Sequence, residues 1–355
     1  MGKAHRLYSG FFSGDSLYAI QFDESTSNLS VVYNGTLNIQ SSKWIATDNS
    51  KQNLYIADES NYHSYGINSN KSLVYKGGVS IADSNCNNAN YIVSSTAKPL
   101  TVFGAPYSSG CPAQAITVTS SGTLKSIVAN ISYSSASGVH GLALSSDNRF
   151  IYSGDDMGGA VWAHSYDATS NKVSKIQQMN VTGNPRHLVV SPQGSYVYVM
   201  LETGNEVAVF NRDSRTGRIT TTNTTFSTIP SGYTNTSLYW SDEVMFSVPK
   251  EGDYPKYLFA TARSRTSTDP GFVTAFSLDS TTGAIKERLF LTPTTGSGGA
   301  ANAISPATFS EQYFAITDAE NNFIEVWKLD DNETSVSVVA HLDTEDSPAN
   351  LVWVD

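Results

Sequence analysis

The sequence predicts an all-β fold, a seven-bladed β-propeller closed by its two chain ends and formed as a single domain over residues 1–355. An aromatic-rich strand pattern returns seven times, and a polar turn and a second alternating segment follow it each time. A single small sheet of this kind cannot bury both of its faces, so such repetition indicates stacked sheets. Helical periodicity is nearly absent, and no linker or low-complexity tract divides the chain.

The repeats are anchored by short apolar runs of one type. These are Arg6-Leu7-Tyr8, Leu54-Tyr55-Ile56, Tyr91-Ile92-Val93, Ile151-Tyr152, Tyr196-Val197-Tyr198-Val199, Tyr257-Leu258-Phe259 and Tyr313-Phe314-Ala315-Ile316. Partner strands follow, for example at 207–210, 273–276 and 324–327, and Thr-Gly or Ser-Asn turns lead into further strands such as 217–220. Each anchor therefore predicts the equivalent strand of its blade.

Several repeats also begin with a leading strand that ends in a polar corner. These strands cover 43–48, 140–145, 187–192 and 302–306. A last strand of this kind, 350–354, has no repeat after it, whereas the first repeat near Arg6 has none before it. The two ends of the chain are therefore expected to complete one blade and close the ring. Loops of unequal length at one face are where binding specificity is expected.

Composition argues against two classes of partner, and a small-molecule substrate is expected instead. The net charge is −10, and the Lys and Arg residues are scattered without a basic aromatic stripe. This pattern argues against nucleic acid and against an anionic membrane as partners. No apolar run is long enough to cross a bilayer. Met1-Gly2 lacks the Ser or Thr at position 6 that myristoylation requires. The oligomeric state stays open.

Two features favour the secretory pathway. Cys86 and Cys111 are the only cysteines and lie in loops rich in Asn, Ser, Gly and Pro, which favours a disulfide. Glycosylation sequons occur at eight positions, most of them in predicted outer turns where a glycan can be tolerated, although chance contributes to this number in a chain rich in Asn, Ser and Thr. Their asparagines are Asn28, Asn34, Asn70, Asn130, Asn180, Asn223, Asn235 and Asn332. Met1-Gly2-Lys3 is interpreted as a start that replaces a removed signal peptide.

Four ionisable residues stand where the repeat predicts apolar or turn positions. His140 opens a leading strand, Arg186 stands at the corresponding place in the next repeat, and Glu202 and Arg263 end two successive anchor strands. Strand ends in neighbouring blades point toward the same mouth of the ring, so these side chains can converge on an acid/base and oxyanion-binding site. The alternative for each is structural: a hydrogen-bonded histidine, a corner-covering arginine, or a Glu202–Arg263 salt bridge between blades.

The region from about Gly138 to Asp355 resembles the fungal 3-carboxy-cis,cis-muconate lactonizing enzymes, which are seven-bladed propellers related to the 6-phosphogluconolactonases. The resembling segments are 139–141, 184–186, 191–194, 201–205, 262–263 and 294–306, with a looser match around 42–44. The resemblance implies that His140, Arg186, Glu202 and Arg263 are the active-site residues. Trp44, His187, Tyr233, Trp240 and Asn302, in or near these segments, are expected to contact the substrate.

One departure from that family bears on the substrate. The family carries a His after the pair Gly298-Gly299, where this chain has Ala300. A tricarboxylate needs a dense cationic clamp, so this loss weakens the expectation of the family's own substrate. The Tyr- and Trp-rich segment 233–240 suggests a larger and less charged ligand.

Three functions are compatible with these residues. The first is a cofactor-independent cyclase or isomerase that closes a ring by lactonization or, as the resemblance suggests for fungal secondary metabolism, by a pericyclic reaction. The second is a lactonase in which Glu202 or His140 activates water. The third is a binding propeller without catalysis. Asp155, Asp156, Asp242 and Asp318 are interpreted as solvated turn residues, so neither a metal nor another cofactor is expected.

Overall fold

The computed structural model describes residues 3–233, 235–250 and 254–355, and the Met1-Gly2 pair lies outside this range. Within these residues the chain forms seven antiparallel sheets of four strands each. The strands of blades 1 to 3 are β1 (Ala4–Phe11), β2 (Ser16–Asp23), β3 (Asn28–Thr36), β4 (Trp44–Thr47), β5 (Asn53–Asp58), β6 (Asn61–Ile67), β7 (Leu73–Ser80), β8 (Ala89–Ser94), β9 (Thr101–Pro106), β10 (Ala113–Val118) and β11 (Leu124–Ile131).

The other four blades follow in chain order. Their strands are β12 (Val139–Leu144), β13 (Phe150–Asp155), β14 (Ala160–Asp167), β15 (Lys172–Asn180), β16 (Pro185–Val190), β17 (Tyr196–Leu201), β18 (Glu206–Arg212), β19 (Ile219–Ser227), β20 (Tyr239–Phe246), β21 (Tyr257–Ser264), β22 (Phe272–Leu278), β23 (Ile285–Pro293), β24 (Ile304–Pro306), β25 (Tyr313–Asp318), β26 (Phe323–Leu329), β27 (Val336–Asp343) and β28 (Pro348–Trp353). Two short 3₁₀ helices, Ser84–Cys86 and Thr236–Leu238, lie in loops.

The ring closes as the sequence predicts. The last strand, β28, is the first strand of blade 1 and pairs with β1, with Leu7 opposite Trp353 and Ser9 opposite Leu351. The first strands of successive blades contact one another around the ring, so they line the central axis. Because the sheet of blade 1 contains both ends of the chain, no seam between blades is left open.

Burial explains why the anchor segments are so apolar. The second strands β5, β13 and β25 are buried at every position, because the two neighbouring blades cover both faces of these sheets. A strand covered on both faces has a continuous apolar pattern. The outer strands, such as β15, alternate between exposed and half-buried residues. Clusters of buried apolar side chains therefore lie between the blades, and they fix each first strand against the axis.

One anchor was assigned to the wrong strand. The segment Tyr91-Ile92-Val93 lies in β8, the first strand of blade 3, and the second strand of that blade is β9. The pattern misled because β8 and β9 each contain one aromatic residue, Tyr91 and Phe103, so the aromatic signal does not distinguish the two strands. The leading strand β20 was also missed, since its Ser-Asp-Glu stretch looks like a turn.

The predicted disulfide is confirmed. Cys86 and Cys111 are bonded within blade 3, and their Cα atoms lie 5.7 Å apart. All eight sequon asparagines are exposed. Most of them lie on outermost strands rather than in the outer turns that the sequence suggested, as Asn34 in β3 and Asn130 in β11 show.

Candidate active site

The four predicted catalytic residues converge on one cavity. His140, Arg186, Glu202 and Arg263 all line a space of about 380 Å³ at one end of the central axis. This volume lies within the range of small-molecule sites, roughly 300–1,000 Å³. The convergence that the sequence left open is therefore present.

Bulges in the first strands bring side chains into this cavity. Five first strands contain one more residue than the facing part of their partner strand, within the described residues. A bulge interrupts the alternation of a strand and redirects a side chain. The bulged residues are Ala349 in β28, Asn90 in β8, His140 in β12, the pair Arg186-His187 in β16 and the pair Asp242-Glu243 in β20.

The second strands contribute charged groups from one repeated position. Leu201 is the last residue of β17 and pairs with Glu206, so Glu202 is the first residue beyond the hairpin pairing. Asp156 holds the same place after β13, and Arg263 holds it after Ala262, the last residue of β21 that pairs with β22. All three line the cavity. Three blades thus use one equivalent backbone position to place a charged group at the cavity.

Two carboxylates already compensate the two arginines. Glu202 Oε1 lies 3.2 Å from Arg186 Nε and 2.5 Å from Arg263 Nη2. Asp242 Oδ1 contacts Arg186 Nη1, which also donates to the Asp242 carbonyl at 2.7 Å. Arg263 Nη1 donates to the carbonyl of Ala300. The side chains in this network are at least nine-tenths buried, so the ion pairs are shielded from water.

The network leaves specific atoms free for a ligand. Both arginines contact the same oxygen of Glu202, and within the described residues Oε2 makes no hydrogen bond. Arg186 Nη2 likewise makes no hydrogen bond to any described residue. A carboxylate oxygen and a guanidinium N–H are therefore available in the same cavity, one to accept a proton and one to hold an oxyanion.

Burial changes the proton affinity of the central groups. It raises the pKa of Glu202 above its ordinary value, although Arg186 and Arg263 oppose the shift. Burial, together with the charges of Arg186 and Arg263, holds the pKa of His140 well below its usual range. Glu202 is thus a stronger base than an exposed glutamate, and the imidazole of His140 is neutral at neutral pH.

Behind the cavity wall lies a chain of three buried groups. His140 Nδ1 lies 3.0 Å from His187 Nε2, and His187 Nδ1 lies 2.9 Å from Glu243 Oε2. On the cavity side, Asn90 Nδ2 lies 3.3 Å from His140 Nε2. His187 and Glu243 are almost fully buried. This geometry connects an internal carboxyl group to an imidazole at the cavity.

The five expected substrate contacts divide into two groups. Trp44 and Trp240 line the cavity. His187 is buried behind it, and Tyr233 is exposed and packs on the rings of Tyr239 and Phe272. Asn302 is also buried, and its amide donates to the Ala262 carbonyl at 2.9 Å. Of these five, Trp44 and Trp240 have positions suited to direct substrate contact.

The interpretation of four aspartates as solvated turn residues is wrong, because all four are buried. Asp155 accepts hydrogen bonds from two backbone amides and Trp162 Nε1. Asp318 accepts from three backbone amides. Asp242 belongs to the arginine network, and Asp156 accepts from the hydroxyl of Tyr107. The turns at strand ends are covered by neighbouring blades, so these carboxylates replace water as acceptors.

Sequence reasoning missed Glu243 entirely, as well as Asn90 and Tyr107. Tyr107 lines the cavity, and its ring packs edge-on against His140 at 4.8 Å. Across the described ranges, no three His, Cys, Asp or Glu side chains are grouped to hold a metal ion. A helix long and apolar enough to span a membrane is likewise not found among those residues.

The chain is similar to one protein family and to two fungal enzymes. Residues 6–288 match the family described as "Lactonase, 7-bladed beta-propeller". The chain is 25% identical to the carboxy-cis,cis-muconate cyclase of Neurospora crassa over 99% of both sequences. It is 28% identical to muconate cycloisomerase 1 of Cutaneotrichosporon cutaneum, covering 61% of this chain and 59% of that protein.

Solved structures share the fold. The periplasmic gluconolactonase of Pseudomonas aeruginosa superposes with a TM-score of 0.81 at 16% identity, covering 99% of each chain. A protein of Bacteroides fragilis, described as a putative 6-phosphogluconolactonase, gives a TM-score of 0.80 at 16% identity over 99% of this chain and 98% of that one. At this level of identity the likeness concerns the architecture.

Proposed function

Because this chain belongs to the seven-bladed lactonase propeller family, we propose that it is a cofactor-independent cyclase that closes a lactone ring in a small unsaturated acid. The observation that carries the proposal is the placement of Glu202, Arg186 and His140 around one cavity with Glu202 Oε2 and Arg186 Nη2 unengaged. The similarity to a fungal carboxy-cis,cis-muconate cyclase over the full chain supports the same reaction type.

In the proposed reaction a carboxylate of the substrate adds to its own activated double bond. A C–O bond forms, and the electron pair of the double bond moves into the conjugated carbonyl as an enolate. Arg186 and Arg263 stabilise the carboxylate and the enolate oxygen. Glu202 first takes the proton of the substrate carboxyl group, and His140 later gives a proton to the carbon next to the new C–O bond. The cavity holds the reacting atoms close, which supplies much of the rate gain.

The charge balance of the site favours a weakly charged substrate. Arg186 and Arg263 are already paired with Glu202 and Asp242. The third cation at the cavity, Lys43, is paired with Glu59 at 2.7 Å. A substrate with several carboxylates would bring anions for which no unpaired cation lines the cavity within the described residues. We therefore propose a substrate with a single carboxylate and an uncharged conjugated carbonyl, such as a ketone or an ester, at the arginines, and with an apolar remainder against Trp44 and Trp240.

The second candidate is a lactonase, which the family match and the gluconolactonase fold favour. Water would add to the lactone carbonyl with Glu202 as general base, and the arginines would stabilise the tetrahedral oxyanion. A third form of the proposal is pericyclic ring closure in secondary metabolism. It uses the same cavity with Arg186 as hydrogen-bond donor and needs no proton transfer through Glu202.

Turnover in ¹⁸O-labelled water separates these reactions. The probes are carboxy-cis,cis-muconate, gluconolactone, and monoesters of cis,cis-muconate, which have one carboxylate and one uncharged conjugated carbonyl. The proposal expects ring closure of a monocarboxylic dienoic acid without solvent oxygen, because both lactone oxygens come from the substrate. Hydrolysis of gluconolactone faster than in an enzyme-free control, with one ¹⁸O atom in the acid, would overturn it in favour of the lactonase. Binding of dienes without conversion of either class would favour the pericyclic or pure binding alternatives.

We also propose that the protein passes through the secretory pathway. The disulfide and the exposure of all eight sequon asparagines support this assignment. Treatment of the protein from its native source with an N-glycosidase should lower its mass. An unchanged mass together with two free thiols would contradict the proposal.

A further inference from the structure

A buried carboxyl group and two histidines stand in line behind the cavity, and the reaction proposed above uses only the last of them. Glu243, His187 and His140 are connected by contacts of 2.9 Å and 3.0 Å. Neither Glu243 nor His187 lines the cavity. Buried titratable groups are costly unless they are paired. If these residues had only a packing role, apolar side chains would fill the same space without the cost of burying titratable groups.

Only certain arrangements of protons fit these distances. The contact between His140 Nδ1 and His187 Nε2 holds one proton when both rings are neutral. If His187 carries it, His187 Nδ1 is bare and can accept from Arg186 Nη1, 3.1 Å away, or from a protonated Glu243, whose Oε2 lies 2.9 Å away. If His140 carries it, His187 Nδ1 bears a proton and can donate to an ionised Glu243. The two neutral histidines therefore share the same tautomer, and an ionised Glu243 favours the tautomer with the protons on Nδ1.

We infer that Glu243, His187 and His140 form a proton relay that carries a proton between a buried carboxyl group and the substrate cavity. In the direction needed for ring closure, His140 Nε2 gives its proton to carbon, and His140 Nδ1 takes one from His187 Nε2. His187 Nδ1 in turn takes the proton of Glu243. One carboxyl O–H bond breaks, one C–H bond forms, and the negative charge of the enolate moves to Glu243. Ring opening by elimination runs the same transfers in reverse.

The surroundings explain why a relay is needed. Arg186 Nη1 lies 3.1 Å from His187 Nδ1, and His140 is close enough to Arg186 and Arg263 for their charges to act on it. An imidazolium ion beside two guanidiniums is strongly disfavoured, because burial and those charges hold the pKa of both histidines well below the usual range. A neutral imidazole alone is a very weak acid. The relay lets His140 deliver a proton whose true source is a carboxylic acid.

Glu243 is suited to be that source. Burial and the nearby charge of Asp242 raise the pKa of Glu243 well above its ordinary value, against the pull of Arg186. The other titratable groups that face the relay are Tyr91, beside Glu243, and Tyr107, beside His140. At the cavity end, the Asn90 side chain fits both proton arrangements. Its amide nitrogen donates to a bare His140 Nε2, and its oxygen accepts from a protonated one after an amide flip.

The inference rests on the proposed function for its chemistry, so one test is made without substrate. Protein labelled with ¹⁵N-histidine reports which ring nitrogen of each histidine carries a proton, with resonances assigned by single His substitutions. We expect His140 and His187 to show the same tautomer across the pH range of the folded protein, and neither to become an imidazolium ion. Opposite tautomers in the two rings, or an imidazolium ion at either, would overturn the relay. His164 is buried outside the relay and serves as the reference.

The second test uses activity on whichever probe the wild type converts. Glu243→Gln keeps the shape of the side chain but removes the transferable proton, so kcat should fall about 10²-fold or more while KM changes little. The matched control is Glu311→Gln. Glu311 is also buried, accepts from Ser247 at 2.8 Å, and lies outside the cavity lining. Equal kcat in wild type and Glu243→Gln would overturn the relay. If the wild type converts no probe, the proposed function fails while the tautomer test still decides the relay.

Discussion

Replacing Glu202 with Gln tests the centre of the proposed site. The substitution keeps the size of the side chain and one acceptor oxygen but removes the negative charge between two guanidiniums. Arg186 keeps its second partner, Asp242, whereas Arg263 keeps the Ala300 carbonyl, the neutral amide and the more distant charge of Asp242. One buried cation therefore loses its direct ion-pair partner.

The two expected effects differ in size. Breaking a buried ion pair from one side costs about 3–5 kcal/mol, and the remaining hydrogen bond to Arg263 places Glu202→Gln near the lower end, at about 3 kcal/mol. For a chain of this length the loss corresponds to a fall in Tm on the order of 5 °C. Loss of the proton-transferring group should lower kcat by about 10²–10⁴-fold.

Thermal unfolding followed by circular dichroism measures the first effect, and turnover of the dienoic or lactone probe measures the second. Glu311→Gln is again the matched control, because the side chains of Glu311 and Glu202 are 7% and 10% exposed. It should lose stability and keep its activity. A Glu202→Gln enzyme with wild-type kcat would refute the role in proton transfer. If filling the cavity by Ala349→Phe abolished that activity, pericyclic closure would be the better account.

Four further predictions follow from the same geometry. Arg186→Ala and Arg263→Ala should each slow turnover by about 10²-fold or more, with only partial rescue by Lys, which lacks the planar fork; wild-type rates would make both arginines structural. Exhaustive dialysis against EDTA should leave turnover intact, and a loss that Ca²⁺ restores would point to a metal-dependent lactonase. Replacing Cys86 and Cys111 with Ala should lower the free energy of unfolding by about 3 kcal/mol for a loop of this size, as measured in urea; an unchanged midpoint would contradict this. The pKa of Glu243 is raised in the folded state, so this residue should lower the free energy of unfolding as pH rises above the ordinary glutamate pKa. Glu243→Gln should therefore be more stable than wild type at neutral pH but not in acid. Identical profiles of stability against pH in the two proteins would count against a buried protonated carboxyl group.

The sequence predicted the ring well because blade packing leaves a strong trace. Second strands buried on both faces, such as β13 and β25, are necessarily apolar and aromatic, and they repeat. First strands line a polar axis, and charged residues interrupt some of them, as Asp242 and Glu243 do in β20. β20 was missed for that reason, whereas β8 was misassigned because its Tyr-Ile-Val run resembles that of a second strand. β8 was taken for a second strand, and β20 was taken for a turn.

The site was predicted in part for a related reason. Glu202 and Arg263 could be found because a charge that ends an apolar strand stands out. Asp242 and Glu243 could not, since without the bulge in β20 they look like a polar corner. A signal was nevertheless present. Asp242-Glu243 precedes Val244 as Arg186-His187 precedes Leu188. Each of these two apolar residues lies opposite a second-strand residue that is two positions before the last one paired with the third strand.

The bulges also explain how one repeat provides both a scaffold and a reaction site. A regular strand would point alternate residues toward the axis, so Arg186 and His187 could not both serve the site. The extra residue lets β16 contribute a guanidinium to the cavity and an imidazole to the buried chain behind it. β20 does the same with Asp242, which compensates Arg186, and Glu243, which pairs with His187. Acid/base groups and their charge compensation thus come from the same two strands, so a shift of either strand would alter both together.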